Sequence, residues 1–249
     1  MDALNIPLIF LTALVSSLFG TLVGGSSLVT IPVLIFMGLP PHAAIGTDRL
    51  GVSGVGIAGL YSFHKKGLVN YKIAWVVGVP CLMGSFLGAN LALQISPALM
   101  KTLIAVMTAA LLVVVAVKPN IGVEGAAAPL TRRDYVKGFF FSLLVGTYGG
   151  FYGAGAATFL AYIMVLVFRQ TFLEGAATLK IGAISLAATS GLTYAFHGAV
   201  HLPLAVAMFA GSCIGSYVGA HYSDRIGNVW IKRLFIGIVS IMVIKLILP

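Results

Sequence analysis

Two apolar stretches, residues 4–38 and 138–168, are too long for a single membrane crossing. A helix of about 20 residues, rising 1.5 Å per residue, already spans the hydrocarbon core of a bilayer. Each stretch carries glycines near its middle: Gly20, Gly24 and Gly25 in the first, and Gly149, Gly150, Gly153 and Gly155 in the second. Glycine weakens a helix and permits backbone angles closed to other residues. Each stretch is therefore predicted to be a broken pair, with breaks at 20–27 and 149–156. Two short crossings and a re-entrant hairpin both satisfy this reading.

Six further apolar segments follow at 50–64, 71–93, 98–117, 180–196, 202–221 and 231–248. Only 8% of residues are charged and 59% are hydrophobic, whereas a soluble domain carries about a quarter charged. The chain is thus predicted to be an all-α polytopic membrane protein, with 1–249 as one transmembrane domain. Its start, MDALNIP, has no basic n-region or small-residue cleavage signal and reads as the first membrane segment. Cys81 and Cys213 lie far apart inside apolar segments and read as packing residues. No P-loop, zinc or dinucleotide motif is present, so neither a cofactor nor a metal is expected.

Charge decides between topologies. Were each long stretch one crossing, the 15 Lys/Arg residues would divide 8 to 7, which is no bias. If each stretch returns to its own side, the division is 12 to 3. Lys65, Lys66, Lys72, Lys118, Arg132, Arg133, Lys137, Arg169, Lys180, Arg225, Lys232 and Arg233 then share one side, against Arg49, Lys101 and Lys245. That excess marks the cytoplasmic side. Five passes per half and periplasmic termini are the expectation. The formal charge of +9 is accordingly read as topogenic rather than as a nucleic-acid footprint.

A shift of 131 residues superposes the halves. Thr47 meets Thr178, Arg49 meets Lys180, and GSFLGA at 84–89 meets GSYVGA at 215–220. Residues 47–103 give 12 identities without a gap. A shift of 129 aligns Gly20 and Gly24 with Gly149 and Gly153. The repeats are 4–118 and 138–249, joined by a cytoplasmic linker at 119–137. An odd number of passes per half makes them inverted-topology repeats, the architecture of many secondary transporters, with the substrate site near the midplane. The small residues of the GSxxGA strips read as helix-packing surfaces.

Glycine breaks expose backbone N–H groups at the start of the next half-helix, and these attract anions. Gly24, Gly25, Gly153 and Gly155 are candidates on that ground, with Ser26 and Ser27 as hydroxyl donors. Thr47 and Thr178 are candidates beside them, placed to cap the helices that follow. Arg49 and Lys180, expected in the first turn of those helices, are the sharpest substrate-binding candidates. An intramembrane cation is costly without a counter-ion; the alternative readings are that Arg49 pairs with Asp48 or that both cations snorkel to the headgroups. Tyr148 and Tyr152 flank the second break as hydrogen-bond donors. Asp48, Glu174 and His197 are candidates for carrying a coupling proton.

The glycine element at 20–32, the A-x-G-T turn at 44–47 and their weaker copies at 149–155 and 176–178 resemble the TauE/SafE sulfite exporter family. The likeness covers essentially the whole chain. The second copy departs from the first: nothing matches Pro32, and AATLK stands where the first half has IGTDR. The resemblance implies export of sulfur-containing anions, such as sulfite or sulfoacetate, across the bacterial inner membrane. Composition and charge by themselves reach only a small anion. A passive anion channel of the same fold is an alternative. Another is an intramembrane serine protease using Ser53 in the string Gly51-Val52-Ser53-Gly54. The expected partners are the anion, the bilayer and a coupling proton. The oligomeric state is left open, a homodimer being one option.

Overall fold

The computed structural model describes residues 5–117 and 129–223. The apolar segment at 231–248, linker residues 119–128, and Lys118, Arg225, Lys232, Arg233 and Lys245 lie outside the described residues. Within them the chain forms α1 (Asn5–Val23), α2 (Ser27–Phe36), α3 (Pro41–Lys65), α4 (Tyr71–Leu93) and α5 (Pro97–Val117). The second half contributes α6 (Arg132–Phe151), α7 (Ala156–Leu166), α8 (Phe172–Phe196) and α9 (Leu202–His221).

Both breaks fall inside their expected windows. The first lies between α1 and α2, with Gly24 at φ 80° and Gly25 at φ 87°; the second lies between α6 and α7, with Gly153 at φ 83° and Gly155 at φ 76°. These left-handed angles are open to glycine at little cost. At 1.5 Å per residue α2 and α7 are about 15 Å and 17 Å long, half the roughly 30 Å of hydrocarbon. They are half-helices that begin inside the protein, as a re-entrant hairpin requires.

The helix boundaries repeat. A shift of 131 carries Pro41–Lys65 onto Phe172–Phe196, the bounds of α8. α4 packs on α6 as α9 packs on α1, and α3 meets α9 as α8 meets α4. At the centre α3 meets its own copy, α8. Gly46 lies against Tyr194, Leu50 against Gly191, Gly56 against Ile184 and Gly59 against Lys180. Numbers rise on one helix as they fall on the other, so equivalent helices run antiparallel. That is the geometry of an inverted repeat.

Small residues make the close contacts. Backbone carbonyls of Leu143 and Thr147 occupy the space a side chain would need at Gly84 and Gly88. Leu14 and Leu18 do the same at Gly215 and Gly219. The GSxxGA strips are therefore packing surfaces, as small-residue strips between membrane helices should be.

The helix starts differ from expectation. α3 begins at Pro41 and α8 at Phe172, so Arg49 and Lys180 are each the ninth residue of their helix, not members of its first turn. Pro41 at the first helical position nucleates α3. A capping box between Thr171 and Glu174 opens α8. Thr47 and Thr178 cap neither helix. Lys180 is 2% exposed and sits within α8, so it drops out of the loop charges.

The remaining cations at helix ends and loops of the described residues gather on one face, Lys101 near the start of α5 excepted. Arg169 donates to the Pro129 carbonyl at 2.9 Å and to Asp134 at 3.3 Å, tying the α7–α8 loop to the start of α6. Lys66 donates to the His221 carbonyl at 3.1 Å, tying the end of α3 to the end of α9. On the opposite face His42, near the start of α3, bonds the Ala92 carbonyl at the end of α4 at 3.0 Å.

Candidate functional site

A cavity of about 60 Å³ lies between the two central helices. Val52, Val55 and Gly56 of α3 and Ala183 and Leu186 of α8 line it at mid-helix. Its depth follows from that: it is at the middle of two helices, each long enough to cross a bilayer. The first residues of both half-helices close it, Ser27 from α2 and Ala156 from α7, with Ser26, Gly25, Gly155 and Gly153 beside them. Two helix N-termini thus point into one space, each bringing a partial positive charge.

Arg49 and Lys180 both line this cavity. They stand at its two ends rather than in contact. Lys180 lies opposite Gly59, ten residues beyond Arg49 on α3, which is about 15 Å along the helix axis.

The Arg49 end is a built network. Its Nη2 donates to Ser27 Oγ at 2.5 Å and pairs with Asp48. Asp48 in turn accepts from Thr30 Oγ1. Arg49 is 3% exposed and Asp48 fully buried, so the pair is neutral as a unit. The guanidinium is not used up: Nε is buried and has no hydrogen-bond partner among the described residues. Gly153 makes room for it, since a Cβ there would lie 2.5 Å from Arg49 Cζ.

The Lys180 end is different. Its Nζ donates to the Thr21 carbonyl at 2.7 Å and to Thr21 Oγ1 at 3.0 Å. Thr21 Oγ1 bonds Ser216 Oγ at 2.8 Å, and Ser216 donates to the Val55 carbonyl at 2.8 Å. No carboxylate among the described residues pairs with Lys180. A buried ammonium without an anion is costly. The residues at the matching places of the two halves explain the asymmetry: where the first half has Asp48 and Ser27, the second has Leu179 and Ala156. The cavity carries one basic group more than its acid can balance, and it suits a compact anion.

Other candidates sit elsewhere. Thr47 Oγ1 accepts the His201 backbone N–H at 2.8 Å, and Thr178 Oγ1 accepts that of Asn70 at 3.1 Å. Asn70 and His201 are the N-caps of α4 and α9. Each threonine therefore fastens its own half to the other, and neither lines the cavity. Tyr148 donates to the Ala154 carbonyl at 2.6 Å, while Tyr152 bonds Thr108; both brace the second break. Gly24 packs against Thr158. Glu174 is occupied in the capping box, and His197 is an exposed C-cap bonded to the Thr193 carbonyl at 2.8 Å. Ser53 donates to the Leu50 carbonyl at 2.6 Å, with no histidine as its partner among the described residues. Thr21, Thr30 and Ser216 were not legible as site residues. The available signal was a spacing of four: Ser17 and Thr21 on α1 meet Ser212 and Ser216 on α9.

The family described as "Sulfite exporter TauE/SafE" matches residues 9–246. A Haemophilus influenzae protein named "Probable membrane transporter protein" is 26% identical, covering 97% of this chain and 94% of its own. The Bacillus subtilis "Probable membrane transporter protein YdhB" is 27% identical, over 92% and 93%. The Escherichia coli K12 "Probable membrane transporter protein YfcA" is 24% identical, over 99% and 91%. No solved structure matches the chain.

Proposed function

The chain belongs to the TauE/SafE sulfite exporter family, and we propose that this member carries a compact sulfur oxyanion, sulfite or a small sulfonate, outward across the bacterial cytoplasmic membrane. The chain is a multi-pass membrane transporter, and the substrate and direction are the added reading. One observation carries it: Arg49, whose Nε–H has no partner among the described residues, the uncompensated Lys180 and two helix N-termini all line a single mid-helix cavity. Size narrows the class. About 60 Å³ is several times the roughly 10–15 Å³ that one water needs. That is room for sulfite or a short sulfonate and tight for a longer sulfoacetate. The inverted halves give alternating access around a fixed site. The gathered cations Lys66, Lys72, Arg132, Arg133 and Arg169 support a cytoplasmic location for their face, with the chain start on the periplasmic side.

The test is a thermal-shift screen of purified protein against sulfite, thiosulfate, sulfoacetate, taurine and simple carboxylates. A ligand at 100 times its Kd stabilises by about 2.7 kcal/mol. Sulfite and small sulfonates are expected to stabilise the wild type, and Arg49→Ala and Lys180→Ala to abolish the shift while remaining folded. Wild-type shifts in both variants, or none with any anion, would overturn the reading.

A further inference from the structure

We propose that Lys180 is the proton carrier of the transport cycle: its amino group takes up one proton as the cavity takes up an anion, and gives it back as the anion leaves. The inference rests on the cavity being the anion site.

The hydrogen-bond inventory of Nζ is the starting point. Thr21 offers it two acceptors, the backbone carbonyl and Oγ1. Ser216 spends its own proton on the Val55 carbonyl, so the Thr21 hydroxyl donates to Ser216 and accepts from Lys180. Those two acceptors match the two N–H bonds of a neutral amine. An ammonium has three N–H donors, and no third acceptor for it occurs among the described residues. The ring of Phe63 also lies near, its centroid 5.8 Å from Nζ; a ring face is a weak substitute for a lone pair. The third position is a lone pair when the cavity is empty and an N–H when an anion fills it.

Charge balance leads to the same place. Of the elements packed against α8, α1 carries no titratable side chain and α7 only Tyr162. α3 brings Asp48 and Arg49 across the cavity, α4 brings Cys81, and α6 brings Tyr148. The remaining charges of α3, α4 and α6 sit near helix ends. None hydrogen-bonds or pairs with Lys180. The Asp48–Arg49 pair cancels itself, so the empty site is neutral when Lys180 is an amine. The loaded site is neutral when a monoanion meets an ammonium. Each state avoids a net charge in the bilayer interior, where one is expensive.

The proton comes from water on the side where the anion enters. The N–H bond made on loading is the bond broken on release, and anion and proton cross together with no net movement of charge. Asp48, Glu174 and His197, the carriers the sequence suggested, are not required: the first is held by Arg49 and Thr30, and the other two lie at the ends of α8.

The test is isothermal titration of the full-length protein in detergent, in two buffers of different ionisation enthalpy. The probes are sulfite and methanesulfonate, the latter a monoanion throughout the working range. At about pH 8 the wild type is expected to take up about one proton per methanesulfonate bound; sulfite, which itself takes up a proton on becoming a monoanion, serves only to show binding. Lys180→Arg, whose guanidinium stays protonated, is expected to bind the anion with no proton uptake by the protein. Lys180→Met is expected to lose binding. The wild-type count stands alone should either variant fail to fold. Anion binding without proton uptake, or uptake by Lys180→Arg equal to wild type, would overturn the inference and leave the transport reading intact. No binding of either probe would overturn the reading of the cavity itself.

Discussion

Gly153 and Arg49 compete for one space: a methyl group on Gly153 would lie 2.5 Å from the guanidinium carbon. Gly153→Ala is expected to push Arg49 out of its place and weaken anion binding at least about tenfold, or ~1.4 kcal/mol. The φ of 83° at Gly153 adds strain, about 1–3 kcal/mol for a residue with a side chain. Gly24→Ala is the control. Gly24 has a similar φ of 80° but abuts Thr158 instead of Arg49. It should lose stability and keep its affinity. Ligand titration by thermal shift separates the two, and equal affinity losses would remove the steric argument.

Thr47 and Thr178, both fully buried, fasten the halves by accepting from the backbone N–H groups of half-buried His201 and exposed Asn70. Thr47→Val and Thr178→Val keep the side-chain shape and leave the N–H of His201 or Asn70 without its acceptor. Each is expected to cost about 0.5–1.5 kcal/mol of stability while sulfite affinity in the folded protein stays at its wild-type value. Denaturant unfolding in detergent measures the first quantity and titration the second. A selective loss of sulfite affinity would return the threonines to the binding site.

Asp48 cancels the charge of Arg49. Asp48→Asn raises the charge of the cavity by one unit. Sulfite binding is expected to tighten roughly tenfold, ~1.4 kcal/mol, while flux in proteoliposomes falls because the emptied site returns charged. Weaker binding would mean that Asp48 serves to position Arg49 rather than to neutralise it.

Much of this architecture was legible because it is written in local chemistry. Glycines mark both breaks, and the 131-residue offset of Thr47, Gly51, Gly84 and Gly88 foretells the repeat of whole helices. The start of α3 was not legible. AIGTDRLG at 44–51 reads as a polar turn by composition, yet it is helix: protein on all sides, not lipid, surrounds Asp48 and Arg49. The roles of Thr47 and Thr178 were missed for another reason. Their partners lie 154 and 108 residues away, and nothing near either threonine in the chain reports them. Lys180 fits both the loop bias and the binding site by sequence, and its burial follows only from packing.

The sidedness of the chain can be read directly. Ser96, between α4 and α5, and Arg133, at the start of α6, are both exposed and lie on opposite faces. With Cys81 and Cys213 replaced by serine, Ser96→Cys is expected to react with a membrane-impermeant maleimide in intact cells. Arg133→Cys is expected to react only after lysis. The reverse pattern would invert the topology and place the chain start in the cytoplasm.

The two threonine bridges also bear on how the protein is made. The ribosome delivers Asn70 long before Thr178, its partner 108 residues later. Thr178 and Thr47 are fully buried only once the halves have met, so both bridges exist in the joined protein alone. The first half therefore leaves the translocon as an unfinished unit, its fourth helix waiting for the eighth. Thr47 waits in the same way for His201, 154 residues on. Insertion proceeds helix by helix, but maturation is a single late event in which the second half closes the first.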